Sequence, residues 1–455
     1  MEQQNSYGMK KKILFVSLGC DKNLVDSEMM LGLLAKTGCE FTGDEREADV
    51  VVINTCCFIN DAKEESINTI LEMAELRKTG AIEGLIVAGC LAQRYREEIQ
   101  TEIPEVDAIL GTMAIDEIVK TLEEVCRGVK SSHYKSLDEK PLTGVERVVT
   151  TGGHYAYLKI AEGCDKHCTY CIIPRVRGNY RSVPMESLVQ EAERLAEQGV
   201  RELILVAQET TLYGVDLYGR KALPELLHRL CEISGLYWIR LLYCYPEEID
   251  GELIETIRQE QKICHYLDLP IQHASDTILR RMGRRTNREQ LECMIDRLRR
   301  EIPDICLRTT LITGFPGETQ EDHEQLLDFV DRMEFDRLGG FPYSQEEDTP
   351  AALMEDQIEE EVKQERFAEL MELQQEIAFA AAEGMAGRVV TAVIEGKVAD
   401  ENAYVARTYK DAPGVDGLLF VSTGRELMTG DFVRVRVNGV YEYDLMGVLE
   451  DEFTE

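Results

Sequence analysis

The sequence predicts an α/β protein in three parts: an N-terminal doubly wound α/β domain, a central run of βα repeats, and a small all-β barrel at the C-terminus. Three observations carry that reading. Short apolar runs rich in β-branched residues alternate with helical patterns through residues 11–130, as buried parallel strands and their crossover helices do. Strand–helix alternation resumes near residue 156 and holds to about residue 341. After Gly387 the helical period disappears, and five short strands follow, punctuated by Gly396, Gly414, Gly417, Gly430 and Gly439.

At 455 residues the chain has room for about three domains. No run approaches the roughly 20 apolar residues that span a bilayer, and the apolar run at 13–16 is too short for a signal peptide. Met9, followed by three lysines, is a second candidate start beside Met1. Fourteen cysteines without an export signal point to reduced thiols and metal sites, so a cytoplasmic protein is expected. Lys and Arg number 50 against 85 Asp and Glu, a net charge of −35. Nucleic-acid binding draws on basic residues, so RNA is not expected as the main partner. A basic protein partner fits this charge; so does self-repulsion that keeps the surface soluble.

In the N-terminal domain (9–130), strands are expected at 11–18, 50–54 and 85–88. Asp26 and Ser27 are placed to cap the first helix, which carries Met29, Met30, Leu33 and Leu34 and stops at Gly38. Further helices read at 62–77 and 115–126. Cys20, Cys56 and Cys90 each follow the carboxyl end of a strand (SLGC, VINTC, VAGC), the end at which parallel sheets bind ligands. Three thiolates from distant segments would converge there. Cys57 adjoins Cys56, and position alone does not choose between them.

A linker (131–153) broken by Pro141, Gly144 and Gly152 leads to the central domain (154–350). Its strands are expected at 156–161, 203–207, 238–244, 265–269, 306–313 and 335–341, with helices at 187–198, 225–233, 289–301 and 322–333. Near its start Cys164, Cys168 and Cys171 crowd one loop. Thiolates select zinc, Cu(I) or iron–sulfur clusters. Structural zinc wants four closed ligands, and no second cysteine pair lies nearby. On three cysteines a 4Fe–4S cubane keeps one iron open. Two basic runs, Arg175, Arg177 and Arg181, then Arg280, Arg281, Arg284, Arg285 and Arg288, suit phosphate binding or solvated helix-end charge equally. A connecting helix (351–384) and the barrel (385–455) complete the chain.

The C-x3-C-x2-C spacing, with Tyr170 before the last cysteine, resembles the radical S-adenosylmethionine (SAM) superfamily. The segments SLGCDKNLVDSE, INTCCFI and VAGCLAQRY resemble the cluster-binding segments of its methylthiotransferases. The resemblance implies a partial (β/α) barrel at the centre and a TRAM domain at the end. It implies two 4Fe–4S clusters, one on Cys164, Cys168 and Cys171 with SAM on its open iron, the other on Cys20, Cys56 and Cys90. A small residue usually stands where Cys57 does, so Cys56 is carried over as the ligand. The expected SAM-binding set is Tyr170, Gln208, Glu209, Gln272, Arg308, Thr310 and Gly314, mostly polar groups at strand ends. His273 is assigned no metal role.

Seven basic residues, Arg388 to Arg436, stand against thirteen acidic ones from Glu395 to Glu455 in the last domain. That balance is wrong for phosphate and right for a basic protein. Asp400, Glu401, Asp411 and Asp416 are expected as rim charges that speed the encounter. Asp21, Lys22 and Asn23 add a resemblance to the ribosomal-protein branch of the family. This implies insertion of a methylthio group at the β-carbon of an aspartate in small-subunit ribosomal protein S-twelve, with a transfer-RNA (adenosine) methylthiotransferase as the alternative. A flavodoxin or ferredoxin is the expected low-potential electron donor.

Overall fold

The computed structural model describes residues 10–452, and the choice between Met1 and Met9 as start lies outside them. The chain divides into two compact units.

The first unit comprises the described part of Met1–Thr150 together with Ala161–Val183 and Ser344–Ala352. Its sheet contains β1 (Lys12–Ser17), β2 (Glu40–Thr42), β3 (Val50–Thr55), β4 (Gly84–Gly89), β5 (Ala108–Leu110) and β6 (Ser131–His133). They run parallel in the order β2-β1-β3-β4-β5-β6. Every residue of β3 and β4 is buried, as continuous apolar runs at the middle of a parallel sheet require. The three predicted strands are present, whereas β2, β5 and β6 are three-residue pieces that hydrophobic periodicity does not register. β6 also takes the opening of the expected linker into the sheet.

Helix α1 (Asp21–Ala35) follows β1 directly, with Cys20 at its N-cap in extended conformation. Asp26 and Ser27 therefore do not cap it. They lie inside the helix and turn inward: Asn54 Nδ2 donates to Ser27 Oγ at 2.9 Å, and Glu28 takes Arg147 at 2.9 Å and the Thr150 amide at 2.7 Å. Such polar residues are usual at a helix end; here tertiary partners keep them in its middle. Helices α2 (Asn60–Thr79) and α3 (Cys90–Tyr95) follow β3 and β4.

The second unit comprises Thr151–Ile160, Pro184–Tyr343 and Leu353–Glu455. Six parallel strands add in chain order: Tyr155–Lys159, Glu202–Val206, Trp238–Leu241, Ile263–Gln272, Cys306–Thr313 and Arg337–Pro342. Helices alternate with them, including Arg288–Glu301 and Gln320–Met333, each opened by a capping box, Asn287 with Gln290 and Thr319 with Asp322. The long helix Glu360–Glu383 is fixed to this sheet rather than bridging free space. Its Arg366 donates to Glu318 at 2.9 Å and its Gln374 to the Phe335 carbonyl at 2.9 Å.

The last five strands, Val389–Lys397, Ala403–Thr408, Leu419–Ser422, Phe432–Tyr441 and Asp444–Leu449, close into a barrel. Ala392, Ile394, Ala406, Leu419, Val421, Val435 and Val437 are fully buried inside it, the inward half of a period-two pattern. Among the described residues no helix is long and apolar enough to cross a membrane.

Candidate active site: two groups of three cysteines

Both cysteine groups lie in the first unit. Two glycines shape the strand-end group. Gly19 has φ +90°, and a Cβ there would stand 2.6 Å from the Cβ of Cys56. Gly89 has φ +92°, and its Cβ would stand 2.3 Å from Asn54 Oδ1. Only glycine fits either place, and each delivers the following cysteine, Cys20 or Cys90, to a helix start at the carboxyl edge of the sheet. Ser66 of α2 holds Cys56 from both sides, donating to its carbonyl and accepting from its amide, each at 3.0 Å.

Burial pushes the Cys56 thiol up to about 12, and neighbouring Cys90 and Cys20 add to the shift. Cys56 and Cys90 are buried and Cys20 is exposed; nearby positive charge, that of Arg177 included, works against the shift at Cys56, as a bound cation would. Cys57 is fully buried among Ile53, Ile70, Leu91 and Val176, a core position. Arg94 donates to its carbonyl at 3.4 Å.

The second group occupies the loop between Glu162 and Arg177. An antiparallel ladder, Ala161 with Ser182 and Glu162 with Arg181, closes its base. His167 turns the loop with φ +51°, an uncommon conformation outside glycine. The amide of Cys164 donates to the Gly178 carbonyl and that of Cys171 to the Cys168 carbonyl, both at 3.0 Å. Burial, then nearby Cys168, raises the Cys171 thiol. Ile172 and Val176, each 1% exposed, anchor the loop in the core that contains Cys57 and Cys90; such burial contributes about 1.5–3 kcal/mol per side chain. Tyr170 lies in this loop, half-buried. Among the described residues no three His, Cys, Asp or Glu side chains are grouped to hold a single metal ion. In a cubane each cysteine binds a different iron, which demands a wider grouping.

Between the two groups stands a residue that sequence reasoning assigned to solvent or phosphate. Arg177 is 1% exposed. Its Nη1 donates to Asp26 at 2.6 Å and to Glu162 at 3.2 Å, its Nη2 to Asn23 Oδ1, and its Nε to Cys90 Sγ at 3.4 Å. Burial works against its charge, but Cys90, Glu162 and Asp26 outweigh burial and raise its pKa. Asn23 in turn donates to the Leu18 and Thr55 carbonyls at 3.0 and 2.8 Å. The signal in the sequence is a helix start, immediately after a cysteine, in which six of the first eight residues are polar: Asp21, Lys22, Asn23, Asp26, Ser27 and Glu28.

The other expected SAM residues lie in the second unit. Gln208 and Glu209 follow the strand Glu202–Val206, and Glu209 is buried, accepting from the Thr211 amide at 3.0 Å. Gln272 ends its strand with φ +75°, strain of a kind that clusters at ligand sites. Thr310 is half-buried within the strand Cys306–Thr313. Two residues are otherwise engaged. Arg308 lies near the start of that strand, paired with Asp268 at 2.9 Å and Asp416 at 3.4 Å. Gly314, φ +70°, lets its backbone approach Lys363, whose Cγ would be 2.3 Å from an added Cβ. His273 is fully buried, its Nδ1 accepting from the Ser275 amide at 2.9 Å.

The expected rim charges also divide. Asp400 and Glu401 are exposed. Asp411 is buried against Arg337 at 2.5 Å, and Asp416 accepts from Tyr266 at 2.8 Å. These two hold the barrel to the sheet and do not face solvent.

Family models match along the chain: "Uncharacterized protein family UPF0004" over residues 12–111, the radical SAM superfamily over 158–330, and the TRAM domain over 386–449. The chain is 63% identical to a "Ribosomal protein uS12 methylthiotransferase RimO" of Lachnoclostridium phytofermentans, over 96% of this chain and all of the relative. Proteins of the same name from Acetivibrio thermocellus and Clostridioides difficile are 52% and 50% identical, over 98% and 96% of this chain and 99% and 98% of theirs. Among solved structures, the radical SAM methyltransferase TsrM of Kitasatospora setae shares the fold, with TM-score 0.53 and 15% identity over 76% of this chain and 74% of that one.

Proposed function

Because the chain belongs to the RimO family of ribosomal protein uS12 methylthiotransferases, we propose that it inserts a methylthio group at the β-carbon of an aspartate in uS12, using two 4Fe–4S clusters and SAM. The observation that carries this reading is the pair of three-cysteine groups in one compact unit. Radical SAM membership itself implies one 4Fe–4S cluster and SAM. Soft thiols, two of the three buried in each group, suit iron–sulfur ligation at both places.

Cys164, Cys168 and Cys171 would hold the cluster that binds SAM; Cys20, Cys56 and Cys90 would hold the second. When bound, these groups supply the 5′-deoxyadenosyl radical, the sulfur and the methyl group, chemistry that belongs to the cofactors. The chain's part is placement. Gly19, Gly89 and Ser66 fix the strand-end thiols, and the Ala161–Glu162 ladder with Ile172 and Val176 fixes the loop. Tyr170, Gln208, Glu209, Gln272, Arg308 and Thr310, with the backbone at Gly314, are the groups proposed to orient SAM. Exposed Asp400 and Glu401, within a chain of net charge −35, suit a basic protein substrate better than RNA. A flavodoxin or ferredoxin is the proposed electron donor.

Mass spectrometry of uS12 from cells with and without this enzyme tests the reading. A mass increase of one methylthio group on an aspartate, lost with the gene, is expected. A methylthio group that instead disappears from transfer RNA would contradict it.

A further inference from the structure

The segments that meet at Arg177 flank both cysteine groups. Asn23 and Asp26 come from α1, behind Cys20; Cys90 opens α3; Glu162 stands two residues before Cys164, and Arg177 itself six after Cys171. A guanidinium presents five N–H donors in a fixed fork. Here Nη1 and Nη2 are directed to carboxylates and an amide, which fixes the plane of the group. Nε is thereby aimed at Cys90 Sγ, 3.4 Å away. Asn23 Oδ1 lies 3.7 Å from the same sulfur and is itself held by Arg177 Nη2.

We infer that Arg177 is a positioning residue for the strand-end site: it donates a charged hydrogen bond to the sulfur of Cys90 and so raises the reduction potential of the cluster held there. Hydrogen bonds to ligating sulfurs and nearby charge are levers on iron–sulfur potentials. A positive donor stabilises the reduced, more negative state over the oxidised one. Asp26 and Glu162 hold the donor in place and temper its charge. Because Arg177 leaves the loop that carries Cys164, Cys168 and Cys171, the same side chain ties the placement of one cysteine group to the electronics of the other. This rests on the proposed reading that Cys20, Cys56 and Cys90 bind a cluster.

The test uses the full chain with Cys164, Cys168 and Cys171 replaced by alanine, so that only the strand-end cluster remains. Iron content is measured first, then the midpoint of an EPR-monitored reductive titration. Arg177→Met in this background is expected to shift the midpoint to more negative potential, and Arg177→Lys to recover part of the shift. Asp26→Asn, which keeps Arg177 and removes an opposing charge, is expected to shift it the other way. If Arg177→Met loads no iron, Arg177→Lys and Asp26→Asn decide by the same two signs. A loaded cluster whose midpoint is unmoved by these variants overturns the inference and leaves the cluster assignment standing. A background chain that binds no iron overturns both.

Discussion

Two buried guanidinium networks, one in each unit, use the same residue type to different ends. Around Glu202 the network closes on oxygen. Arg240 and Arg407 donate to its two carboxylate oxygens at 2.8 and 2.7 Å, Arg407 also to Glu395 at 2.7 Å, and the remaining donors reach the carbonyls of Tyr409 and Asp411. Two cations face two carboxylates, and both arginines lie over tyrosine rings, Tyr266 and Tyr155. This clamp joins the parallel sheet to the C-terminal barrel. Around Arg177 one donor is spent on sulfur. Burial of a charge is therefore no functional signal by itself; where its donors point is.

The largest effect expected from breaking this contrast is at Glu202. Replacing Glu202 by Gln leaves two buried arginines short of a charge, at a cost of about 3–5 kcal/mol. The chain's one tryptophan, Trp238, packs edge-on against Phe432 of the barrel at 4.8 Å, so its fluorescence in denaturant reports the loss, while iron loading in the other unit should be unaffected. The effect has a pH signature. Burial pushes the Glu202 carboxyl up, but Arg407 and Arg240 outweigh it and hold it below its usual 4.5. Its stabilisation is thus fully present above about 4.5 and lost as pH falls through the lower folded-state value. The gap between wild type and Glu202→Gln should stay constant down to about 4.5 and narrow below it until the folded-state value is passed; a gap that persists into strong acid would count against the clamp.

A smaller effect separates glycines that shape the site from those that merely turn. Gly19→Ala combines a left-handed backbone with the 2.6 Å approach to Cys56, and about 1–3 kcal/mol is expected together with loss of iron from the strand-end site. Gly80→Ala has φ +78° but open space around it; it should cost about 1 kcal/mol and leave iron unchanged. Equal iron loss in both would show that backbone strain, not the shape of the site, is responsible.

The smallest effect concerns the barrel's surface. Asp400→Lys with Glu401→Lys should cost no more than about 1 kcal/mol, most of it from Lys in the left-handed conformation that Asp400 holds at φ +61°. It should slow association with a basic uS12 peptide, and the difference should fade as salt screens charges beyond about 8 Å. A salt-independent rate, untouched by the reversals, would leave the barrel's acidity as solubility alone. Asp411→Asn is the internal contrast: Asp411 is buried and paired with half-buried Arg337, so its loss should weaken the barrel's seat on the sheet.

Much of this was legible in the sequence because apolar runs and cysteine spacing are local. The strands at 306–313 and 403–408 lie where alternation and β-branching put them, and the five-strand closure followed from turn spacing. What was not legible depends on partners far along the chain. Asp26 looks like a cap until Arg177 is brought to it, 151 residues away in sequence. Arg177 and Asp416 look like surface charge because charged residues usually are. Gly314 reads as a turn residue, and nothing local tells that its missing side chain also makes room for Lys363. Periodicity reports which face is buried; it is silent on which charges are paired beneath it.

The most direct test of the account is a count of iron after anaerobic reconstitution. The wild-type chain should bind about eight iron, two cubanes on three cysteines each. Alanine at Cys164, Cys168 and Cys171 should leave about four and abolish SAM cleavage. Alanine at Cys20, Cys56 and Cys90 should also leave about four, with SAM cleavage retained and sulfur insertion lost. Cys57→Ala should change neither count. A chain that keeps all its iron when either group of three is replaced would contradict the two-site reading.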